Sequence, residues 1–173
     1  MEDNGSKTQS WQGWADKERR FGLEMQQPYS ELVLTGQKSI ESRAYPLPEA
    51  LINVKIEIFQ SEKGQDGVSV VPDRVALQKS SDNNSSFQSP LQRIGWVTFA
   101  KCIQYTSRKE FEADRDKHLV DPNSGYGWND ERSMYGWVVG SYHKQDTIGD
   151  VDGRSLDTVA IRQMRSLFEI ITR

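Results

Sequence analysis

The chain has 173 residues, 35% hydrophobic and 27% charged, with five Trp, six Tyr and six Phe; that is enough for one domain with a modest core and spare rings for a binding surface. Its net charge of −3 excludes a protein that coats duplex nucleic acid by charge alone, because such domains run basic, but leaves room for a small recess that takes one flipped or single-stranded base. The single cysteine, Cys102, excludes an internal disulfide and a cysteine-based zinc cluster, and two histidines, His118 and His143, are too few for a multi-histidine centre, so neither a metal nor a cofactor is expected.

In chain order, residues 1–20 are polar, with Trp11 and Trp14 in no clear period, and read as a flexible extension. The opening MEDNGSKTQS has no apolar run for a secretory signal, and no window reaches the ~20 apolar residues of a membrane span. An intracellular location, cytoplasmic or nuclear, is the expectation, with no membrane partner.

FGLEM alternates Phe21, Leu23 and Met25 against Gly22 and Glu24, the period of a strand. Pro28 ends it, and YSELVLTGQ reads as a short helix with Pro28 at its first position, Gly36 at its C-terminal cap, and Leu32 and Val33 facing inward. SIESRAY returns to strand spacing until Pro46 and Pro48. VKIEIFQS alternates Val54, Ile56 and Ile58 against Lys55, Glu57 and Phe59, a half-buried strand. Residues 61–93, with the Ser/Asn-rich SSDNNSSFQS, read as a long mobile insertion in which only VSVVP suggests order.

IGWVTFAKCIQY (94–105) is a strong strand pattern. Thr106 or Ser107 caps the helix SRKEFEADRDKHLV, with Glu110 at capping-box spacing from Ser107. DPNSGYGWND is a loop, YGWVVGSYHK (135–144) a strand, and QDTIGDVDG a turn. The C-terminal VAIRQMRSLFEIIT fits a helix through Val159, Met164, Leu167 and Phe168, and fits a strand at RSLFEII equally well. Strands interrupted by two short helices predict an α+β fold: a small mixed β-barrel spanning 21–173 as a single domain.

The stretch QQPYSELVLTGQKSIESRAYP (26–46) carries the functional signal. With Ile40 in the core, alternation puts Ser39, Glu41, Arg43 and Tyr45 on the opposite face, and Lys38 at the helix-to-strand junction beside them. Such a set can build a polar pocket for a base edge or a phosphate. Glu41 and Arg43, two apart on a strand, are equally what a solvated surface pair looks like.

Gln27-Pro28-Tyr29, a short helix, and then Gly36-x-Lys38-x-x-Glu41-x-Arg43 resemble the ASCH domain, a branch of the PUA-like superfamily. IGWVTFAKCIQY looks like the family's long strand, and Tyr135-Gly136-Trp137-Val138 like its aromatic strand. The resemblance implies a β-barrel with helices packed at its openings, a cleft lined by the motif residues, and RNA binding or coactivator-type regulation. One bacterial branch is similar to a minimal amidohydrolase that deacylates modified cytidine through a lysine, a threonine and a glutamate. This chain departs from it: where that branch has its nucleophilic threonine stands Glu41, and the hydroxyl the run supplies, Ser39, stands at another position. The branch's glutamate has no firm match here; Glu110, Glu112 and Asp114 occupy the right region but also suit a solvated helix face.

Three readings follow. In a module for RNA or a modified nucleotide, Lys38, Glu41, Arg43, Tyr45 and Gln27 contact the ligand, and Tyr135 or Trp137 stacks a base unless it fills the core. A small hydrolase would use Lys38 as base and Ser39 as nucleophile, with Glu41 nearby. A protein-interaction module would use the 61–93 insertion to hold a protein partner. Trp96 reads as structural, His143 as an exposed strand-end residue, and Arg108, Lys109, Arg115 and Lys117, interleaved with acids, as a solvated helix.

Overall fold

The computed structural model describes residues 19–61, 92–150, 158–160 and 166–170. The elements in order are β1 (Arg20–Gln26), α1 (Tyr29–Leu34), β2 (Ile40–Arg43), a 3-10 turn at Glu49–Leu51, β3 (Ile56–Ser61), β4 (Gln92–Tyr105), α2 (Arg108–Ala113), α3 (Arg115–His118), β5 (Met134–Asp150), β6 (Thr158–Ala160) and β7 (Leu167–Ile170). Residues 1–18 of the expected extension, with Trp11 and Trp14, and 62–91 of the expected insertion, with VSVVP, lie outside the described residues.

The strands form one mixed sheet in the order β2-β5-β4-β3-β1-β7-β6. The β1–β3 pair is parallel, and the other pairs are antiparallel. The α+β class stands, but the expected barrel does not: β2 and β6 are the two ends of the order and do not pair, so the sheet is open. β2 has only four residues before Pro46 and Pro48, which cannot donate to a ladder.

The open sheet is nonetheless curled. β2 and β1 stand four places apart in the order, a separation of about 19 Å if the sheet were flat. Arg43 on β2 instead hydrogen-bonds the Glu24 carbonyl on β1 at 3.1 Å. The seam left unclosed between these strands is where the motif side chains Lys38, Glu41 and Arg43 gather.

Apolar alternation places the main core inside the curl: Phe21, Leu23 and Met25 from β1 pack with Ile56, Ile58, Val97, Phe99 and Trp137. Phe59, assigned by alternation to the solvent side of β3, is buried instead with Phe168 and Ile170, its ring 5.2 Å from that of Phe168. Phe168 of β7, the strand beside β1, reaches Phe59 across Gly22 on that second face. The ambiguous C-terminal pattern is therefore strand at 158–160 and 167–170, with Leu167 opposite Leu23 and Phe168 opposite Gly22.

Two further expectations are corrected. The polar QDTIG, read as a turn, continues β5 to Asp150, because Gln92 and Arg93 of β4 supply its ladder partners. The single helix expected after Ser107 is two, broken at Asp114, whose carboxylate is occupied by Lys117 at 2.6 Å and by the Tyr105 hydroxyl at 3.0 Å. Ser107 does cap α2, accepting from the Glu110 amide at 3.3 Å. The Glu110 carboxylate reaches one residue further back than the box predicts, to the amide and hydroxyl of Thr106. In α1, Val33 and Leu34 are buried and Leu32 only half so; Gly36, at φ +75, supplies the left-handed residue that ends the helix.

Candidate functional site

The left-handed turn at Gly36 drops the chain from α1 into β2, and Lys38 falls at the corner. Its amide bonds back to the Leu32 carbonyl at 2.9 Å, and the next amide, of Ser39, bonds the Lys117 carbonyl at 3.0 Å. The Lys38 side chain is only 2% exposed. Its ammonium donates to the His118 carbonyl, lies 3.5 Å from Glu41 Oε2, and sits 5.6 Å from the Tyr29 ring centroid. Two carbonyls at the C-terminal end of α3 thus fix residues 38 and 39, at the helix end where a cation is favoured. Burial pushes the Lys38 pKa below its ordinary 10.5, with the Arg43 charge adding to that and the Glu41 carboxylate opposing it.

Glu41 is 7% exposed and bridges two cations: besides Lys38, its Oε1 lies 2.9 Å from an Arg43 nitrogen. Arg43 also donates to Ser166 Oγ at 2.6 Å and to the Glu24 carbonyl at 3.1 Å. Its guanidinium lies 5.9 Å from the Trp137 ring centroid, and its Nε is buried without a hydrogen-bond partner among the described residues. The three motif side chains therefore converge, against the solvated-pair alternative. They line a cleft of about 570 Å³ at the open seam, together with Glu24, Tyr45 and Ser166, a size that suits a small ligand.

The remaining expected residues divide. Tyr45 lines the cleft, its hydroxyl 3.0 Å from Ser166 Oγ. Gln27 is exposed, and its neighbour Gln26 lines the cleft instead. Trp137 cannot stack a base, because it is wholly buried, edge-on to Phe99 and Tyr45, with its Nε1 donating to the Tyr45 carbonyl at 3.2 Å. Tyr135 is half-buried against the core and borders a different, smaller cavity with Cys102. Strand alternation could not say which aromatic faced which side of a curled sheet. The rings that do line the cleft are Tyr29, Tyr45 and Tyr126, with Tyr29 and Tyr126 edge-to-face at 6.1 Å.

Ser39, the shifted hydroxyl, is exposed and does not line the cleft; Ser42 and Ser166 do. Glu110, Glu112 and Asp114 also fall outside it. The carboxylate that joins Glu41 there is Glu24, buried at 6%. Its one sequence signal was a glutamate in an otherwise apolar FGLEM strand. Tyr126 came from a stretch read only as loop, and offered no signal beyond its ring.

His118 was also missed. It is fully buried, stacked on Phe111 at 4.2 Å, with Nε2 2.9 Å from the Phe111 carbonyl and Nδ1 accepting from the Val120 amide at 3.0 Å. Both nitrogens are satisfied only by the neutral ring protonated on Nε2. Burial pushes its pKa down, with the Lys38 charge in the same direction. His143 is exposed and stacks on Trp96 at 5.9 Å. Arg115 and Lys117 pair with Glu112 and Asp114 on the exposed helix face. Among the described residues, no cluster of His, Cys, Asp or Glu could hold a metal ion, and no helix is long and apolar enough to cross a membrane.

No protein-family model and no curated protein matches the chain. Among solved structures it is similar to ASCH from Zymomonas mobilis, at 11% identity and a TM-score of 0.47, over 72% of this chain and 69% of that one. Two mutant forms of the same protein align at 11% and 12% identity, each with a TM-score of 0.47 over 72% of this chain, covering 70% and 71% of theirs.

Proposed function

We propose that the cleft binds single-stranded RNA, seating one nucleotide, standard or modified, among Lys38, Glu41 and Arg43. The observation that carries this is the convergence of those three side chains at the open seam, with Glu41 held between two cations in a cleft walled by tyrosines. Hydrogen bonds to a base edge plus an aromatic face are how single strands are read. Trp137 has no free face to offer, so the stacking role passes to Tyr29 or Tyr126. The ASCH-like motif Gly36-x-Lys38-x-x-Glu41-x-Arg43 supports the same reading.

The test is fluorescence anisotropy with a labelled single-stranded RNA. Lys38→Ala and Arg43→Ala should abolish binding while circular dichroism shows the fold retained. Tyr126→Leu, in a loop, leaves the buried network intact and should weaken binding by about 1–3 kcal/mol. Unchanged affinity in all three variants removes the site.

A hydrolytic reading has one observation in its favour: burial lowers the Lys38 pKa, the condition a lysine base requires. Ser39 lies outside the cleft, so a nucleophile would have to be Ser42 or Ser166. Incubation with acetylcytidine tests it, and absence of cytidine at high protein concentration disposes of it. The protein-interaction reading concerned the insertion, of which 62–91 lie outside the described residues.

A further inference from the structure

We infer that the cleft reads the imide edge of a uracil-type base, through an acceptor held between two cationic donors. This rests on the nucleotide-binding reading and narrows it. Three facts define the array. Glu41 stands between Lys38, 3.5 Å away, and Arg43, 2.9 Å away, so the order along the site is donor, acceptor, donor. A carboxylate has about four acceptor positions, and these two contacts leave Glu41 able to accept again. Both flanking cations keep donors in hand: a guanidinium has five N–H groups, of which Arg43 directs three to Ser166, the Glu24 carbonyl and Glu41, and an ammonium has three protons, of which Lys38 directs one to the His118 carbonyl and one towards Glu41.

Each base edge can be set against that order. Uracil presents O4, N3–H and O2, an acceptor, a donor and an acceptor, and complements all three positions. Cytosine presents an amino donor and then two acceptors. In either orientation it opposes donor to donor at one end and its N3 lone pair to the Glu41 carboxylate. Adenine's amino group and N1 conflict in the same way. Guanine matches at O6 and N1–H and conflicts only at its 2-amino group. A buried mismatch leaves groups on both sides unpaired, which is why hydrogen-bonding sites discriminate strongly. The expected order is uracil first, guanine next, cytosine and adenine last.

The experiment measures anisotropy of the full chain with the octanucleotides U8, C8 and A8, and with a U8 in which every uracil is methylated at N3. U8 should bind at least about tenfold tighter than C8 or A8, and N3-methylation should remove that advantage. Glu41→Gln should also reduce it. Because Glu41 is a buried ion-pair member whose loss destabilises the fold, the methylated probe gives an independent answer with the native chain. It also separates edge recognition from the preference of some single-strand binders for flexible pyrimidine runs. An octamer of deoxythymidine carries the same edge on a deoxy backbone; its binding alongside U8 would make both RNA and DNA sources of the edge, and binding of U8 alone restricts the source to RNA. Equal affinity for U8 and C8, or a U8 preference that survives N3-methylation, overturns the inference and leaves the nucleotide-binding reading standing. If no oligonucleotide binds, that reading fails and the inference goes with it.

Discussion

Arg43 on β2 donates to the Glu24 carbonyl on β1 at 3.1 Å, joining two strands that stand four places apart in the sheet. One side chain thus spans the seam that backbone pairing leaves open, while also holding Ser166 and Glu41. A guanidinium spreads five donors over a planar fork and so reaches acceptors on separate strands at once; an ammonium gathers its three donors at one point. Arg43→Lys should therefore lower the unfolding free energy by about 2–4 kcal/mol, through lost charged hydrogen bonds and a less well paired buried Glu41. Urea titration measures the loss, and hydrogen exchange should quicken at the seam-facing amides of Glu24 to Gln26. A variant as stable as the parent would mean that the curl is held by the core alone.

The packing of Phe168 from β7 against Phe59 over Gly22 makes a second prediction. A Cβ on Gly22 would fall 2.4 Å from the Phe168 ring and 2.8 Å from that of Phe59. The ring sits where only a glycine leaves room. Gly22→Ala should cost about 1–3 kcal/mol, the usual range for overpacking, despite the better strand propensity of alanine. Adding Phe168→Leu should recover part of the loss, and a thermal-melt double-mutant cycle reads the coupling. Purely additive effects would argue that β7 does not pack where it is described.

How far these features could be read from sequence depended on the range of the interaction. Local alternation found β1, β3 and β4 because one face of each meets the core. The same logic put Phe59 in water, because the ring that packs on it, Phe168, arrives more than a hundred residues later. QDTIG looked like a turn because its ladder partners, Gln92 and Arg93, lie across a long insertion. The site divided along the same line. Lys38, Glu41 and Arg43 share one short segment, so their spacing announced a common face. Glu24 joins them through the curl of the sheet, Tyr126 through a loop that reaches Gln26, and His118 through the end of α3 beside Lys38. Trp137 and Tyr135 lie on β5 opposite Glu41 and Arg43, yet alternation cannot tell the inside of a curled sheet from its cleft.

His118 should make stability depend on mild acid. Its folded pKa is lowered from 6.5 by burial first and by Lys38 second, with the Phe111 carbonyl, Glu112 and Asp114 opposing. The unfolded chain therefore binds a proton before the folded one does, and stability falls as pH drops below about 6.5 towards the lower folded value. Protonation would also cost the bond that Nδ1 accepts from the Val120 amide. The expected slope approaches about 1.4 kcal/mol per pH unit for one proton. His118→Gln should be less stable at pH 7.5 but lose this component of the slope. Denaturant midpoints from pH 7.5 to 5 give the comparison, and parallel curves would assign the acid sensitivity to the carboxylates.

Lys38 follows the same sign at alkaline pH, and separates ligand binding from folding. Burial lowers its folded pKa from 10.5, so the folded protein gives up this proton before the unfolded chain does. The cost of burying the ammonium is present below the folded pKa and is relieved as pH rises through it, so this group adds stability on the alkaline side. A nucleotide that needs the Lys38 ammonium as donor loses it over the same interval. RNA affinity should therefore decline below pH 10.5 while this contribution to folding stability rises, a divergence that general alkaline unfolding cannot produce. Anisotropy and urea titrations on the same samples from pH 7.5 upward test it. If affinity and stability fall together, Lys38 is not the donor the ligand uses.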